Sequence, residues 1–114
     1  RLGLSLIIMA DSELAVLSQA QQAMLARRTR LLVGAHGAGL AHALWMEEGS
    51  AIVEFLPVEP DEGNRTRLCF FALASALGHR YEFVPIPTPH VDAPLRVPVR
   101  ELGEALKRVA REME

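Results

Sequence analysis

Cysteine is almost absent from this chain of 114 residues, and because Cys69 is the only one, no internal disulfide can form. Basic residues are also few. Twelve Lys and Arg stand against fourteen Asp and Glu, which excludes the electrostatic footprint of a nucleic-acid-binding protein. No apolar run reaches the roughly 18 residues of a membrane span. The chain is nevertheless 50% hydrophobic, so the composition predicts one compact α/β domain over residues 1–114.

The most informative stretch is the one from residue 31 to residue 56. Two apolar runs without alternation, Leu31–Gly34 and Ala51–Leu56, flank a glycine-rich turn, His36-Gly37-Ala38-Gly39, and a short helix, Leu40–Met46. Such runs are typical of parallel strands whose two faces are both covered by helices. The order strand, turn, helix, strand therefore predicts one parallel unit of an α/β sheet.

The turn in this unit is expected to carry the function. Gly34, Gly37 and Gly39 are expected to supply positive φ or a close backbone approach, although packing alone could also account for them. Backbone N–H groups at a helix N-terminus attract phosphate, because they lack intrahelical partners. His36 lies at the carboxyl end of a parallel strand, where α/β folds bind ligands, and favours a binding site over a purely structural turn.

The remaining elements complete an alternating pattern. Ser18 and Gln21 form a capping-box pattern at the start of one helix, with Asp11 or Ser12 as an earlier alternative start. Gly78 is expected to end another helix as its C′ residue. The predicted elements are a first buried strand Leu4–Met9, helices 18–28 and 65–78, strand Tyr81–Ile86, and helix Val99–Met113. The order β-α-β-α-β-α-β-α predicts a Rossmann-like, mainly parallel sheet with helices on both faces.

Helix 65–78 has apolar residues, Cys69 among them, on nearly every side. It is therefore expected to be buried on more than one face. One small sheet can cover one face only. Together with the abrupt start at Arg1, this predicts that the chain is part of a longer protein with a further N-terminal domain. Phe70 and Phe71 point to different sides, so one of the two rings is expected to be exposed or covered by another chain.

Glu54 lies 20 residues after Gly34, inside an apolar strand. In dinucleotide-binding folds an acid at this distance binds ribose hydroxyls, whereas a buried carboxylate can also have a purely structural hydrogen bond. Both interpretations stay open at this point. His36 and His42 have no Asp, Glu or Cys that completes a zinc-like spacing, so no metal site is predicted.

Several motifs together resemble glycosyltransferase family 61. They run from residue 18 to about residue 85: Ser18-Gln19-Ala20-Gln21-Gln22, Gly34-Ala35-His36-Gly37-Ala38-Gly39-Leu40, Gly49-Ser50-Ala51-Ile52-Val53-Glu54, and Leu77-Gly78-His79-Arg80-Tyr81. The sequence differs from the family pattern at His42, where asparagine is usual, and at Trp45, where phenylalanine is common.

The resemblance implies the donor-binding, C-terminal half of a GT-B enzyme. Such an enzyme transfers a sugar such as xylose or N-acetylglucosamine, with inversion, from UDP to a glycan or protein acceptor. His36 is expected to stabilise the leaving diphosphate without a metal or other cofactor, while the general base lies outside this chain, which is inactive alone. The expected donor-binding residues are Gly34, His36, Gly37, Ala38, Gly39, Leu40 and Glu54.

Two alternatives remain at the level of the sequence. An NAD-type oxidoreductase domain also fits the glycines and Glu54, and a non-catalytic interaction domain would bind neither nucleotide. The compartment is open as well: the Golgi or ER lumen is expected for a eukaryotic source and the cytoplasm for a bacterial one.

Overall fold

The computed structural model describes residues 3–58, 68–87 and 96–113. Three β-strands, four α-helices and one 3-10 helix follow one another along these residues. In chain order they are α1 Asp11–Ala15, α2 Gln19–Arg27, β1 Leu31–Ala35, the 3-10 helix Ala38–Trp45, β2 Ala51–Val58, α3 Cys69–Leu77, β3 Arg80–Pro87 and α4 Val99–Met113. No helix in this part of the chain is both long enough and apolar enough to cross a membrane.

The three strands form one parallel sheet with the order β1-β2-β3. Gly34 on β1 is level with Glu54 on β2, and Glu54 is level with Phe83 on β3. Because successive side chains alternate between faces, this register decides which residues meet on each side. The predicted fold class, a Rossmann-like α/β unit, is confirmed.

Each face of the sheet has its own hydrophobic core. On one face, α4 packs Ala105 and Val109 against Val53, Phe55 and residues of β3. On the other face, the 3-10 helix and α3 cover Ile52. The buried residues that pack with Ile52 in this core are Leu40, Ala43, Met46 and Ala74. The side chains of α4 that pack in the first of these cores also include Leu102, Leu106 and Met113.

The predicted first strand, Leu4–Met9, is wrong. Residues 3–10 adopt neither strand nor helix, and the side chains of Leu6 and Ile8 are 85% and 81% exposed. A run of apolar residues becomes a strand only if a neighbouring strand supplies hydrogen-bond partners. In the described part of the chain, β1 pairs with β2 alone, so its other edge does not recruit this segment.

The capping box at Ser18 is confirmed. The Ser18 hydroxyl accepts from the Gln21 backbone N–H at 3.1 Å, and the Gln21 side chain accepts from the Ser18 N–H at 2.8 Å. The earlier start that Asp11 allowed also exists, but as a separate short helix, α1. Local capping chemistry therefore defines this helix start without help from the core.

Helix α3 confirms one expectation and corrects another. Phe70 packs against the core under the 3-10 helix, whereas Phe71 is 48% exposed, so the two rings do face different surroundings. Cys69, expected in the core, is exposed at the first turn of the helix. The predicted start at residue 65 lies outside the described residues.

Gly78 ends α3 in the left-handed conformation, with φ 74° and ψ 25°, as predicted. A Cβ at this position would lie 2.9 Å from the Glu48 Cγ atom. We expect Gly78→Ala to lower the free energy of unfolding by about 1–2 kcal/mol, the usual cost of left-handed backbone for a residue with a Cβ.

The matched control is Gly103→Ala, inside α4, where an added Cβ meets no atom within 4 Å. Helix propensity predicts the opposite sign there, a gain of about 0.5–1 kcal/mol. Urea unfolding of both variants measures the two changes, and a neutral or stabilising Gly78→Ala would show that this helix end does not require glycine.

Candidate functional site

His36 extends β1 by one residue at the carboxyl edge of the sheet. Its backbone N–H donates to the Phe55 carbonyl at 3.0 Å, which continues the hydrogen-bond ladder between β1 and β2. Alternation along β1 places His36 on the same face as Gly34, and hence on the same face as Glu54. The side chain of His36 is therefore aimed over the central strand.

Three polar side chains meet on this face. The Nδ1 atom of His36 lies 2.5 Å from Oε2 of Glu54, and the Tyr81 hydroxyl donates to Oε1 of the same carboxylate. Tyr81 on β3 is level with Ile52, two residues before Glu54, so the three side chains run diagonally across the sheet. The Glu54 carboxylate is thereby paired on both oxygens although it is 0% exposed.

The surroundings fix the protonation state of Tyr81. Burial, the hydrogen bond to Glu54 and the charge of that carboxylate together raise the pKa of Tyr81 far above its usual value. The hydroxyl accordingly stays protonated and acts as a donor. The ring of Phe70 packs edge-on against His36 with centroids 5.3 Å apart, and so restricts the orientation of the imidazole.

The glycines of the turn differ in what the fold requires of them. None of the three has the positive φ that was one of the two expected reasons for glycine: left-handed glycines occur at positions 3, 49 and 78, and Gly37 has extended backbone. Gly34 is required by close packing, since a Cβ there would lie 3.3 Å from Leu40 Cδ2. A Cβ on Gly37 or Gly39 would meet no atom within 4 Å.

The turn is held in place from behind. The N–H of Leu40 donates to the Gly37 carbonyl at 3.1 Å, and the Leu40 side chain lies in the core with 2% exposure. His42 contacts the Gly39 carbonyl through Nδ1 at 2.7 Å and Gln22 Oε1 through Nε2 at 3.0 Å. The Gln22 amide in turn donates to the carbonyls of Leu14 and Leu17, which connects the turn to α1 and to the loop that follows it.

The structure thus brings the predicted residues together in two layers. His36, Gly37 and Gly39 lie at the surface of the turn, and Gly34, Leu40 and Glu54 lie behind them. Of the two interpretations of Glu54, the geometry favours the structural hydrogen bond, because contact with a ribose would require its release from His36 and Tyr81. Sequence reasoning did not assign roles to Tyr81 and Gln22, whose partners are distant along the chain.

The histidine and glycine turn can be compared with two other kinds of site. A surface depression between α2 and the end of the 3-10 helix has Met24, Leu44 and Trp45 in its wall and does not include His36 or Glu54. Within the described ranges, no group of three or more His, Cys, Asp or Glu side chains is arranged to hold a metal ion.

Fold and site together define a Rossmann-like α/β fragment with a histidine and a glycine turn at the carboxyl edge of its sheet. Residues 5–53 match the family model described as Glycosyltransferase 61, a range that includes the whole turn and ends one residue before Glu54. This match confirms that the stretch resembles glycosyltransferase family 61. No curated protein matches the chain.

Proposed function

We propose that this chain is the UDP-sugar-binding part of an inverting glycosyltransferase of the GT-B type, which transfers a sugar such as xylose or N-acetylglucosamine. One observation carries the proposal: His36 is fixed beside a turn whose Gly37 and Gly39 are required by neither conformation nor packing. Glycine costs folding entropy, so two glycines without a structural need are accounted for by a ligand that approaches the backbone.

The chemistry of glycosyl transfer suits this turn. When the bond between sugar and UDP breaks, negative charge develops on the diphosphate, and preorganised N–H donors stabilise it. The N–H groups of Gly37, Ala38 and Gly39 lie at the N-terminus of the 3-10 helix, where aligned peptide dipoles favour an anion. When both of its ring nitrogens carry hydrogen, His36 adds a side-chain donor through Nε2, since its Nδ1 donates to Glu54. The proposed step therefore uses no metal ion.

The residues behind the turn act as supports in this proposal. Gly34 admits Leu40, Leu40 anchors the start of the 3-10 helix, and Glu54 orients His36. The donor is a UDP-sugar and the acceptor is a glycan or protein hydroxyl. An inverting displacement needs a base for that hydroxyl, and we place the base on a further N-terminal domain, so that this chain binds donor but does not turn over alone.

The geometry weakens the NAD-type alternative. That interpretation assigned the ribose hydroxyls to Glu54, but both carboxylate oxygens are hydrogen-bonded within the fold and the side chain is 0% exposed. The diphosphate part of the site would accept either nucleotide. Nucleotide preference is therefore the informative measurement.

We expect UDP to raise the melting temperature of this chain more than NAD does at the same concentration, since a ligand that binds only the folded state stabilises it. Thermal unfolding with UDP, a UDP-sugar and NAD measures this preference. Equal or greater stabilisation by NAD would favour the oxidoreductase interpretation, and no effect of any nucleotide would favour the interaction domain.

A further inference from the structure

Glu54 is a carboxylate without contact to solvent, and this requires an explanation. A buried carboxylate is costly unless donors satisfy it. In the described part of the chain its partners are His36 and Tyr81, and no Lys or Arg forms an ion pair with it. Both partners come from neighbouring strands, so the carboxylate connects all three strands at the level of the turn.

We propose that Tyr81 is a positioning residue that acts on His36 through Glu54. Tyr81 donates to Oε1 and thereby fixes the rotation of the carboxylate, which leaves Oε2 aimed at Nδ1 of His36. A carboxylate oxygen is an acceptor, so the hydrogen of the pair resides on Nδ1. Nε2 is then the nitrogen available to a ligand.

The properties of Tyr81 suit this role. Because burial and Glu54 raise the pKa of Tyr81, the hydroxyl remains a donor and does not exchange roles with His36. Its ring is held edge-on by Phe71 at a centroid distance of 5.4 Å. The side chain of His36 remains 14% exposed, and Phe70 packs against its ring. Tyr81 thus donates to the Glu54 carboxylate from a fixed position, and the partly exposed imidazole of His36 has one orientation.

The kinetic part of this inference rests on the function proposed above. In that function, the contacts of Tyr81 and Glu54 determine which nitrogen of His36 faces the diphosphate. When imidazole carries hydrogens on both nitrogens, Nδ1–H is engaged by Glu54 and Nε2–H is free to donate to a phosphate oxygen. Glu54 then compensates the positive charge of the imidazolium. Without Tyr81, the carboxylate could rotate and the imidazole would lose its single orientation.

Heteronuclear NMR of the histidine-labelled chain tests the arrangement directly, with the His36 signals identified by their loss in His36→Ala. In the wild-type chain we expect the hydrogen of neutral His36 on Nδ1. In Glu54→Gln, which keeps the volume, the amide can accept from Tyr81 and donate to Nδ1, so His36 should change to the Nε2–H tautomer. An unchanged tautomer in a folded Glu54→Gln chain would overturn the inference.

Tyr81→Phe removes only the hydroxyl and provides the second test. We expect its His36 spectrum to show a mixture of tautomers, whereas a spectrum identical to that of the wild type would assign Tyr81 a merely structural role. In an active enzyme that contains this chain, kcat should fall by about 3- to 10-fold, as for loss of one hydrogen bond, with KM for the donor nearly unchanged. A rise in KM at constant kcat would contradict positioning.

The NMR results can be interpreted whether or not the proposed function is correct. If UDP does not bind the wild-type chain, the donor-site proposal fails, but the tautomer change in Glu54→Gln still measures the connection from Tyr81 to His36. If UDP binds and the tautomer does not respond to either variant, the donor site stands and the connection is overturned.

Discussion

Replacing His36 by alanine should lower kcat of the proposed glycosyltransferase by about 10- to 1,000-fold, the range for loss of one preorganised donor to a developing negative charge. The structure supports this expectation because contacts with Glu54 and Phe70, both within the fold, fix the orientation of the imidazole. If the contact strengthens in the transition state, kcat and kcat/KM should fall together. Steady-state kinetics with varied UDP-sugar in an active enzyme that contains this chain measures both constants.

The control for this experiment is a demonstration that the variant is folded. His36→Ala leaves Oε2 of the buried Glu54 without its donor, so the variant must first be shown by circular dichroism to be folded. A folded His36→Ala enzyme with unchanged kcat and kcat/KM would show that His36 is structural. A rise in KM alone would mean that His36 binds substrate and transition state equally.

The second large effect is expected at Gly39. Gly39→Val should weaken UDP binding by about 10- to 100-fold, equivalent to losing one charge-assisted hydrogen bond, because the branched side chain would stand where the diphosphate approaches the backbone. Stability should hardly change, since Gly39 is exposed and its Cβ position is open. Calorimetric titration and urea unfolding of the same preparation measure the two quantities.

Gly34→Val is the matched comparison, because it introduces the same side chain five residues earlier. Leu40 lies 3.3 Å from the Cβ position of Gly34, so overpacking should reduce the free energy of unfolding by about 1–3 kcal/mol. The two variants thus separate a glycine that the fold needs from one that a ligand needs. Unaltered UDP affinity in Gly39→Val would remove the glycine turn from the binding site.

Much of the fold was predictable because its signals are local. The continuous apolar runs of β1 and β2, the capping box at Ser18 and the left-handed Gly78 depend on a few neighbouring residues, and each is found as predicted. The spacing of the apolar residues in α4 likewise matches the side of the helix that packs against the sheet. Pro85 and Pro87 fit in β3 because it is the last strand in the order, where a missing N–H is tolerated.

The wrong predictions concern features that depend on contacts between residues distant in the sequence. The segment Leu4–Met9 has the composition of a buried strand, but its state depends on whether a second strand pairs with it. The glycines of the turn were expected to supply positive φ or a close backbone approach, yet the fold explains only Gly34, by its packing against Leu40. The connection from Tyr81 to Glu54 requires the register of β2 against β3, which the sequence does not specify.

Amide chemical-shift mapping with UDP shows whether the histidine and glycine turn binds the diphosphate of a UDP-sugar, as we propose. We expect the largest shifts on titration of UDP to fall on the backbone N–H groups of Gly37, Ala38 and Gly39 and on the ring of His36. Shifts centred on the depression beside Met24 and Trp45, or no saturable shifts at all, would contradict this proposal.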